Sequence, residues 1–119
     1  MFRVGILDGH DDTRALLRLW LEGKYDISDY SRAEELLADL SKQNFHLLLV
    51  DLKVRTADGS EVLSSMKTIP GPLRPVAIAM TASAFKVDRD RAIKNGFNDL
   101  LIKPIDALRL QTTIQKYLR

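Results

Sequence analysis

Apolar residues in this chain fall into two kinds of segment that alternate with each other. The runs at 47–50 and 76–80 are uninterrupted, as in strands that are buried on both faces, and shorter apolar runs occur at 2–7 and 99–102. The segment 25–30 instead alternates apolar and polar residues, which is typical of a half-exposed strand at the edge of a sheet. The pattern therefore predicts five short strands.

Between these runs, apolar residues recur at the three- and four-residue spacing of amphipathic helices. The five predicted helices carry Leu16, Leu17, Trp20 and Leu21; Ala33, Leu36, Leu37 and Leu40; Val62, Leu63 and Met66; a weak pattern at 87–95; and Leu110, Ile114, Tyr117 and Leu118. Leu16, Leu17 and Trp20 are expected to lie in the core. The helix starts are predicted at polar residues that can cap a first turn, namely Asp11 or Asp12, Ser31, Ser60 and Asp106.

Strands and helices that alternate in this way predict an α/β fold, with a parallel sheet covered by helices on both faces. The 119 residues suit one domain, and the small net charge of +2 argues against direct binding of nucleic acid. The chain has no cysteine, which excludes thiolate sites and disulfides, and it has no apolar segment long enough for a membrane span. We therefore expect a cytoplasmic protein that does not bind membranes.

Four reactive side chains stand directly after predicted strands: Asp8, Asp51, Thr81 and Lys103. Because crossovers between parallel strands are right-handed, the carboxyl ends of the strands meet at one edge, where α/β proteins bind ligands. Taken alone, Asp51 could equally be an acid that only caps the turn after its strand. Together, two carboxylates, a hydroxyl and an ammonium group suit phosphoryl chemistry with Mg²⁺, because the acids can bind the metal while Lys103 and Thr81 stabilise anionic oxygens.

Five segments, in order, resemble the receiver domain of two-component response regulators: 3–8, 47–52, 58–63, 76–82 and 101–104. The resemblance covers nearly the whole chain, so residues 1–119 are expected to form a single receiver domain. It implies a flavodoxin-like (βα)5 fold with strand order 2-1-3-4-5. It also implies that a histidine kinase or phosphotransfer protein phosphorylates an aspartate as an acyl phosphate. No enzymatic activity is expected beyond the self-catalysed gain and loss of that group.

The resemblance also implies a role for individual residues of this sequence. Asp51 corresponds to the phosphoacceptor, and Mg²⁺ is expected to bind Asp8, Asp51 and the backbone carbonyl of Lys53. Thr81 corresponds to the hydroxyl that senses the phosphoryl group. Lys103 is expected to pair with the acids before phosphorylation and with the phosphoryl group after it, and the bond between Lys103 and Pro104 is expected to be cis.

The chain departs from the family pattern at three places. Receiver domains usually carry two adjacent acids after the first strand, but the second position here is Gly9, so the site loses a ligand and a negative charge. Leu100 occupies the position of the usual aromatic switch residue, and the loop 53–57 lacks the usual proline. These changes predict weak Mg²⁺ binding and an altered output. His10 or Asp11 could replace the missing acid, although a solvent-facing His10 and a helix-capping Asp11 are the simpler interpretations.

Two functions are compatible with these residues. Asp51, Thr81 and Lys103 favour a phosphorylation switch in a phosphorelay, with Ala82 leaving room for the phosphoryl group, and we adopt this interpretation. The changes at Gly9 and at the switch position favour the alternative, a pseudo-receiver that binds proteins independently of phosphorylation. A phosphohydrolase with Asp8 as its nucleophile is disfavoured, because such enzymes need a second acid two residues later.

The surface of the fourth helix, fifth strand and fifth helix is where receivers of this kind often meet partners. We expect a target protein or an effector domain to bind there, with Phe85 and Phe97 as candidate contacts. The fourth helix is rich in both basic and acidic residues, so its default interpretation is a solvated face whose charges compensate each other.

Overall fold

The computed structural model describes residues 1–53 and 60–119. Its strands and helices alternate along the chain as β1 (Arg3–Leu7), α1 (Asp11–Leu21), β2 (Asp26–Tyr30), α2 (Ala33–Leu40), β3 (Leu47–Asp51), α3 (Ser60–Met66), β4 (Val76–Thr81), α4 (Lys86–Asn95), β5 (Asp99–Ile102) and α5 (Ala107–Tyr117), with a short 3₁₀ turn at Gly71–Leu73 before β4. All strand pairs are parallel, in the order β2-β1-β3-β4-β5. The predicted flavodoxin-like fold is confirmed.

The central strand β3 divides its side chains between two apolar layers. Leu48 and Val50 point into a cluster with α2, α3 and α4, whereas Leu47 and Leu49 point into a second cluster with α1 and α5. All four are fully buried. The unbroken apolar run follows from this geometry, because alternate residues of a strand face opposite sides and both sides here are covered by helices.

The edge strand β2 is half-buried along most of its length, as the sequence predicts, although burial does not alternate from one residue to the next. It pairs only with β1 among the described strands, and its residues range from exposed Asp26 to buried Tyr30. The prediction of an edge position is therefore confirmed. No helix in the described ranges has both the length and the apolar character needed to cross a bilayer.

Several helix ends differ from the sequence-based predictions. The residue before α1 is His10, and Asp11 and Asp12 lie in the first turn, where carboxylates interact favourably with the helix dipole. The residue before α2 is Arg32, so the cap predicted at Ser31 is wrong. Asp106 does cap α5, because its side chain accepts a hydrogen bond from the backbone N–H of Arg109.

The core prediction for α1 holds only in part. Leu17 and Leu21 are buried and Trp20 is half-buried, but Leu16 is 44% exposed. Successive helix residues are rotated by about 100°, so a helix that packs by one face cannot bury both Leu16 and Leu17 fully. Most of the loop 53–57 and the first two residues of the matching segment 58–63 lie outside the described residues.

Candidate functional site

The polar residues that the described part of the chain buries completely or nearly so are Asp8, Asp51 and Thr81. All three lie at the carboxyl edge of the sheet: Asp8 directly follows β1, Asp51 ends β3 and Thr81 ends β4. Carboxylates are rarely buried without partners, because removing a charge from water is costly. The contacts of these side chains therefore define the site.

Lys103 connects the two buried acids. Its Nζ lies 2.7 Å from Asp8 Oδ2 and 3.3 Å from Asp51 Oδ2. The backbone N–H of Lys103 donates to the carbonyl of Thr81 at 2.7 Å, which ties the end of β5 to the end of β4 and aims the lysine at the acids. One ammonium charge thus faces two carboxylate charges in a largely buried setting, since the lysine side chain is 18% exposed.

Asp51 divides its two carboxylate oxygens between different partners. Oδ2 faces Lys103, whereas Oδ1 accepts a hydrogen bond of 3.1 Å from the backbone N–H of Lys53. In the register between β3 and β4, Asp51 pairs with Met80, the residue before Thr81. Asp51 and Thr81 therefore lie at the same end of neighbouring strands. The carbonyl of Lys53 as a metal ligand stays a prediction.

Asp8 is held by the loop that follows β1. Its Oδ1 accepts a hydrogen bond of 2.8 Å from the backbone N–H of His10, the geometry of an Asx turn. The same oxygen lies 3.2 Å from Nδ1 of the His10 ring, which is itself 72% exposed. His10 therefore faces solvent, as one interpretation of the sequence had it, and also contacts the buried acid.

Gly9 lies in the same loop, with open space around it. A Cβ built on Gly9 meets no atom of residues 1–53 and 60–119 within 4 Å, and the φ of Gly9 lies outside the left-handed range in which larger residues are strained. The position could therefore carry an acidic side chain without a clash. The absence of the second acid is a property of this sequence and is not imposed by the fold.

A guanidinium group that the sequence analysis missed holds this loop from behind. Arg14 of α1 donates to the backbone carbonyl of Asp8 at 2.6 Å and to Asp29 of β2 at 3.1 Å, and it forms an ion pair with Asp11. Asp11 is thus engaged outside the acid cluster and its side chain is 89% exposed. No spacing rule indicates this network, because it joins a loop, a helix and an edge strand.

The pKa of Asp29 reflects the two arginines that contact it. Burial alone would raise the pKa of this carboxyl, but the hydrogen bonds and charges of Arg18 and then of Arg14 outweigh it and hold the pKa below its ordinary value. The hydrogen bond to Asp29 in turn raises the pKa of Arg18. Asp29 and Arg18 are therefore both charged at neutral pH.

The remaining predicted site residues line the β4 and β5 side of the edge. The hydroxyl oxygen of Thr81 accepts a hydrogen bond of 3.1 Å from the backbone N–H of Ser83. Ala82 is exposed, and Leu100 is half-buried against the cluster that α2, α3 and α4 cover. The peptide bond between Lys103 and Pro104 is cis, as the resemblance implies.

Residues 4–115 match the family model of the response regulator receiver domain. The chain belongs to this family. Sequence relatives agree: an uncharacterized 14.6 kDa protein in the sodA1 3′ region of Leptolyngbya boryana is 37% identical over 113 residues, covering 94% of this chain and 86% of the relative. The transcriptional regulatory protein ZraR of Escherichia coli K12 is 35% identical over 105 residues, covering 88% of this chain but only 23% of ZraR.

Solved structures show the same fold at lower sequence identity. The receiver domain of Ssk1 from Saccharomyces cerevisiae, co-crystallised with the histidine phosphotransfer protein Ypd1, superposes with a TM-score of 0.87 at 21% identity, covering 98% of this chain and 88% of that one. The receiver domain of the sensor histidine kinase PA1611 from Pseudomonas aeruginosa, with a coordinated magnesium ion, gives a TM-score of 0.85 at 20% identity, covering 98% and 97%. Both show the fold of this receiver.

Receiver domains bind Mg²⁺ through acidic residues, and this receiver offers a changed set of ligands. Asp8, His10 and Asp51 each place one ligand atom within 4.8 Å of the others. The two carboxylates fit Mg²⁺, which prefers oxygen ligands, whereas the third group is an imidazole nitrogen. The fit to Mg²⁺ is therefore partial.

The two aromatic residues expected on the partner surface of α4, β5 and α5 differ in exposure, and the surface itself stays a prediction. Phe85 is 73% exposed, but Phe97 is buried at 3% and cannot contact a partner, so that prediction is wrong. The charges of α4 do compensate each other: Lys86 pairs with Asp90 at 2.6 Å, and Arg91 lies 3.9 Å from Asp88.

Proposed function

We propose that residues 1–119 form a single receiver domain that accepts a phosphoryl group on Asp51 from a histidine kinase or a phosphotransfer protein, in the cytoplasm. The observation that carries this proposal is the position of Lys103, whose ammonium group contacts both buried acids. A lysine with this placement can hold the resting carboxylate and then follow the negative charge to a phosphoryl group. Asp51 is the carboxylate that ends the central strand.

The transfer itself needs little more than positioning and charge stabilisation. An oxygen of Asp51 attacks the phosphorus of the donor's phosphohistidine; the new O–P bond forms as the P–N bond breaks, and its electron pair returns to the donor imidazole. Lys103 and the hydroxyl of Thr81 stabilise the equatorial oxygens. Ala82, which is small and exposed, leaves space beside the new group.

Asp8, Asp51 and the carbonyl of Lys53 would hold Mg²⁺, which supplies positive charge to the transferring group. With Gly9 in place of an acid, this binding should be weak, because Mg²⁺ takes few protein ligands and the loss of one is large in proportion. Lys103 therefore carries a greater share of the charge stabilisation than it would in a site with a third carboxylate.

The proposed donor and output rest on two of the similar proteins. The Ssk1 receiver is seen with a histidine phosphotransfer protein, and ZraR is a transcriptional regulatory protein several times longer than the matched segment. We infer a phosphotransfer protein or histidine kinase as the donor, and a target protein or effector domain at the surface of α4, β5 and α5, where Phe85 is exposed.

The proposal is tested by incubating the purified chain with acetyl phosphate and Mg²⁺ and measuring intact mass. The expected result is one added phosphoryl group that hydroxylamine removes, as for an acyl phosphate. Asp51→Asn should abolish the addition and keep the fold, since it deletes only the nucleophile. Asp12→Asn, which neutralises an exposed acid in the first turn of α1, is the matched control and should still be phosphorylated.

One observation favours the second candidate, a pseudo-receiver that binds proteins without phosphorylation. Position 9 is open and unstrained, yet it carries no acid. If the unmodified chain gains no phosphoryl mass from acetyl phosphate or from a phosphotransfer protein at any Mg²⁺ concentration, the pseudo-receiver is the correct function. Phosphorylation that survives in Asp51→Asn would place the acceptor elsewhere.

A further inference from the structure

His10 gives the site a type of ligand that the missing acid would not have given. Its ring Nδ1 lies 3.2 Å from Asp8 Oδ1, and the backbone hydrogen bond from His10 to the same oxygen fixes the turn that places the ring there. One ligand atom from each of Asp8, His10 and Asp51 lies within 4.8 Å of the others. Two atoms that bind one ion at about 2 Å lie up to about 4 Å apart, so only a small closure is needed. The ring of His10 is exposed, so it can make this small movement.

The carboxylate oxygens leave room for an ion without displacing Lys103. The lysine contacts Oδ2 of Asp8 and Oδ2 of Asp51, whereas Oδ1 of each acid faces its own loop, towards His10 and Lys53 respectively. A cation on the Oδ1 side and the ammonium on the Oδ2 side can therefore bind together. The two carboxylates carry two negative charges and Lys103 supplies one positive charge. A further positive charge is therefore favourable in this buried position.

The chemistry of the three ligands distinguishes between metals. Mg²⁺ is a hard ion that takes oxygen ligands in a strict octahedron, and an imidazole is a poor substitute for a carboxylate there. Late first-row ions such as Zn²⁺ and Co²⁺ accept imidazole and carboxylate together, and three protein ligands with one open position suit their tetrahedral geometry. Asp11 does not restore an oxygen ligand, because it pairs with Arg14 on the outer side of the loop.

We propose that Asp8, His10 and Asp51 form a site for a late first-row divalent ion, with Zn²⁺ and Co²⁺ as its representatives, and that the site binds these ions in preference to Mg²⁺. This inference rests on the proposed function only in naming the metal class of the same site. The metal can be tested without any phosphodonor, so the two can fail separately.

The experiment uses the untagged, chelator-treated chain. Co²⁺ is added while its visible absorption is followed, and Zn²⁺ and Mg²⁺ are then tested as competitors. We expect a tetrahedral Co²⁺ spectrum, displacement by stoichiometric Zn²⁺, and Mg²⁺ binding at least about tenfold weaker than Co²⁺, the scale on which loss of a well-placed metal contact changes affinity. Equal or tighter binding of Mg²⁺ would overturn the proposal.

His10→Ala identifies the ligand, and His46→Ala is its control. His10→Ala should weaken Co²⁺ and Zn²⁺ by about 10- to 100-fold and leave Mg²⁺ binding nearly unchanged. His46 is the second histidine of the chain and lies before β3, at the opposite edge of the sheet, where it accepts a hydrogen bond from Arg3, so its loss should not affect Co²⁺. Co²⁺ binding that is insensitive to His10→Ala, or lost equally in His46→Ala, would show that His10 is not the ligand.

A third comparison separates this inference from the proposed function. A chain that binds no Co²⁺ through His10 but gains a phosphoryl group with Mg²⁺ overturns the metal proposal and leaves the receiver function intact. A chain that binds Co²⁺ through His10 but is never phosphorylated, with either metal, supports the metal proposal and overturns the phosphoacceptor function.

Discussion

Two halves of the site differ in how closely they follow the receiver pattern. The half formed by β3, β4 and β5 keeps the residues to which the proposed function assigns phosphoryl chemistry, namely Asp51, Thr81 and Lys103, and it brings them to one edge. The half formed by the loop after β1 keeps Asp8 but carries Gly9 where receiver domains usually have a second acid, and His10 follows it. Both halves occur in one fold because they are built from different strands and loops.

The difference leads us to expect that phosphoryl transfer and metal binding, if the proposed function is correct, can be changed separately at this edge. The retained half is fixed by buried contacts: Lys103 reaches across to both acids and is tied to Thr81 through its backbone. The altered half is a short exposed loop in which a side chain at position 9 would meet none of the residues that the structure describes. We therefore expect that substitutions in the loop after β1 can change the ligands offered to a metal and leave the fold and the position of Asp51 unchanged.

The largest expected effect comes from breaking the retained half at Lys103. Lys103→Met should destabilise the protein by about 3–5 kcal/mol at pH 7, because it leaves two buried carboxylates facing each other without a cation. Urea denaturation measures this loss. The double variant Asp8→Asn with Lys103→Met should recover much of the stability, since it removes one of the two charges. A Lys103→Met protein as stable as the parent would mean that the acids are not held by the ion pair.

A smaller effect is expected from rebuilding the altered half. Gly9→Asp should strengthen Mg²⁺ binding by about 1–3 kcal/mol, the scale of hydrogen bonds to charged groups and close charge pairs, which is roughly 5- to 150-fold in affinity. It should also speed phosphorylation from acetyl phosphate. Calorimetric titration measures the affinity, and Gly9→Asn is the control that adds the side chain without its charge. If the parent already binds Mg²⁺ as tightly as Gly9→Asp, another group in this loop supplies the missing ligand.

The contacts of Asp29 with Arg14 and Arg18, which hold the altered loop, should contribute less to the free energy of unfolding, about 1 kcal/mol. Asp29→Asn weakens the contacts of Arg14 and Arg18 that hold the loop. Because the folded-state pKa of Asp29 is depressed, its stabilisation is complete above the unfolded pKa of about 3.9 and is lost as the pH falls through the lower folded value. Urea midpoints of parent and variant should therefore differ at pH 7 and converge in acid.

Asp26→Asn is the matched control for that experiment. Asp26 lies on the same strand, but its ion pair with Arg3 is exposed, with 53% of the acid side chain accessible, and exposed pairs contribute little. A difference between parent and Asp29→Asn that stays constant down to strongly acidic pH would contradict the electrostatic origin of the effect.

The smallest expected change is the conformational response of residues 98–118 to phosphorylation. Leu100 has no polar group with which to respond to Thr81, and it packs against the core, so phosphorylation should alter amide exchange across 98–118 only slightly. Hydrogen exchange with and without acetyl phosphate measures this. Leu100→Tyr introduces an aromatic ring with a hydroxyl, and it should increase the change in amide exchange across 98–118. A large exchange response in the parent would show that the switch does not need that ring.

The sequence predicted the features that depend on strand order and periodicity. An unbroken apolar run that ends in an acid indicated the central strand, and the carboxyl edge of a parallel sheet then brought Asp8, Asp51, Thr81 and Lys103 together. Features that depend on how separate elements meet could not be predicted. Arg14 is an example, because its partners lie on a loop, on its own helix and on β2.

Phe97 was predicted as a surface contact, although the glycine before it indicated that its ring is buried. Gly96 ends α4 with φ of 123°, its N–H donates to the carbonyl of Ile93, and the N–H of Phe97 donates to the carbonyl of Ala92. This is the Schellman arrangement, in which an apolar residue after the glycine packs back onto the helix. The glycine followed by phenylalanine therefore indicated a buried ring, and only Phe85 remains as an exposed aromatic contact on α4.

The ion pair between Lys103 and Asp8 joins residues that are 95 positions apart. During synthesis Asp8 is made before Lys103, and the four strands β2 to β5 are made between them. A ribosome-bound chain that has not yet extended past β5 holds both carboxylates without their ammonium partner. Under the proposed function, the ability to accept a phosphoryl group would arise only once β5 is in place, and it would report that a newly made domain has completed its sheet.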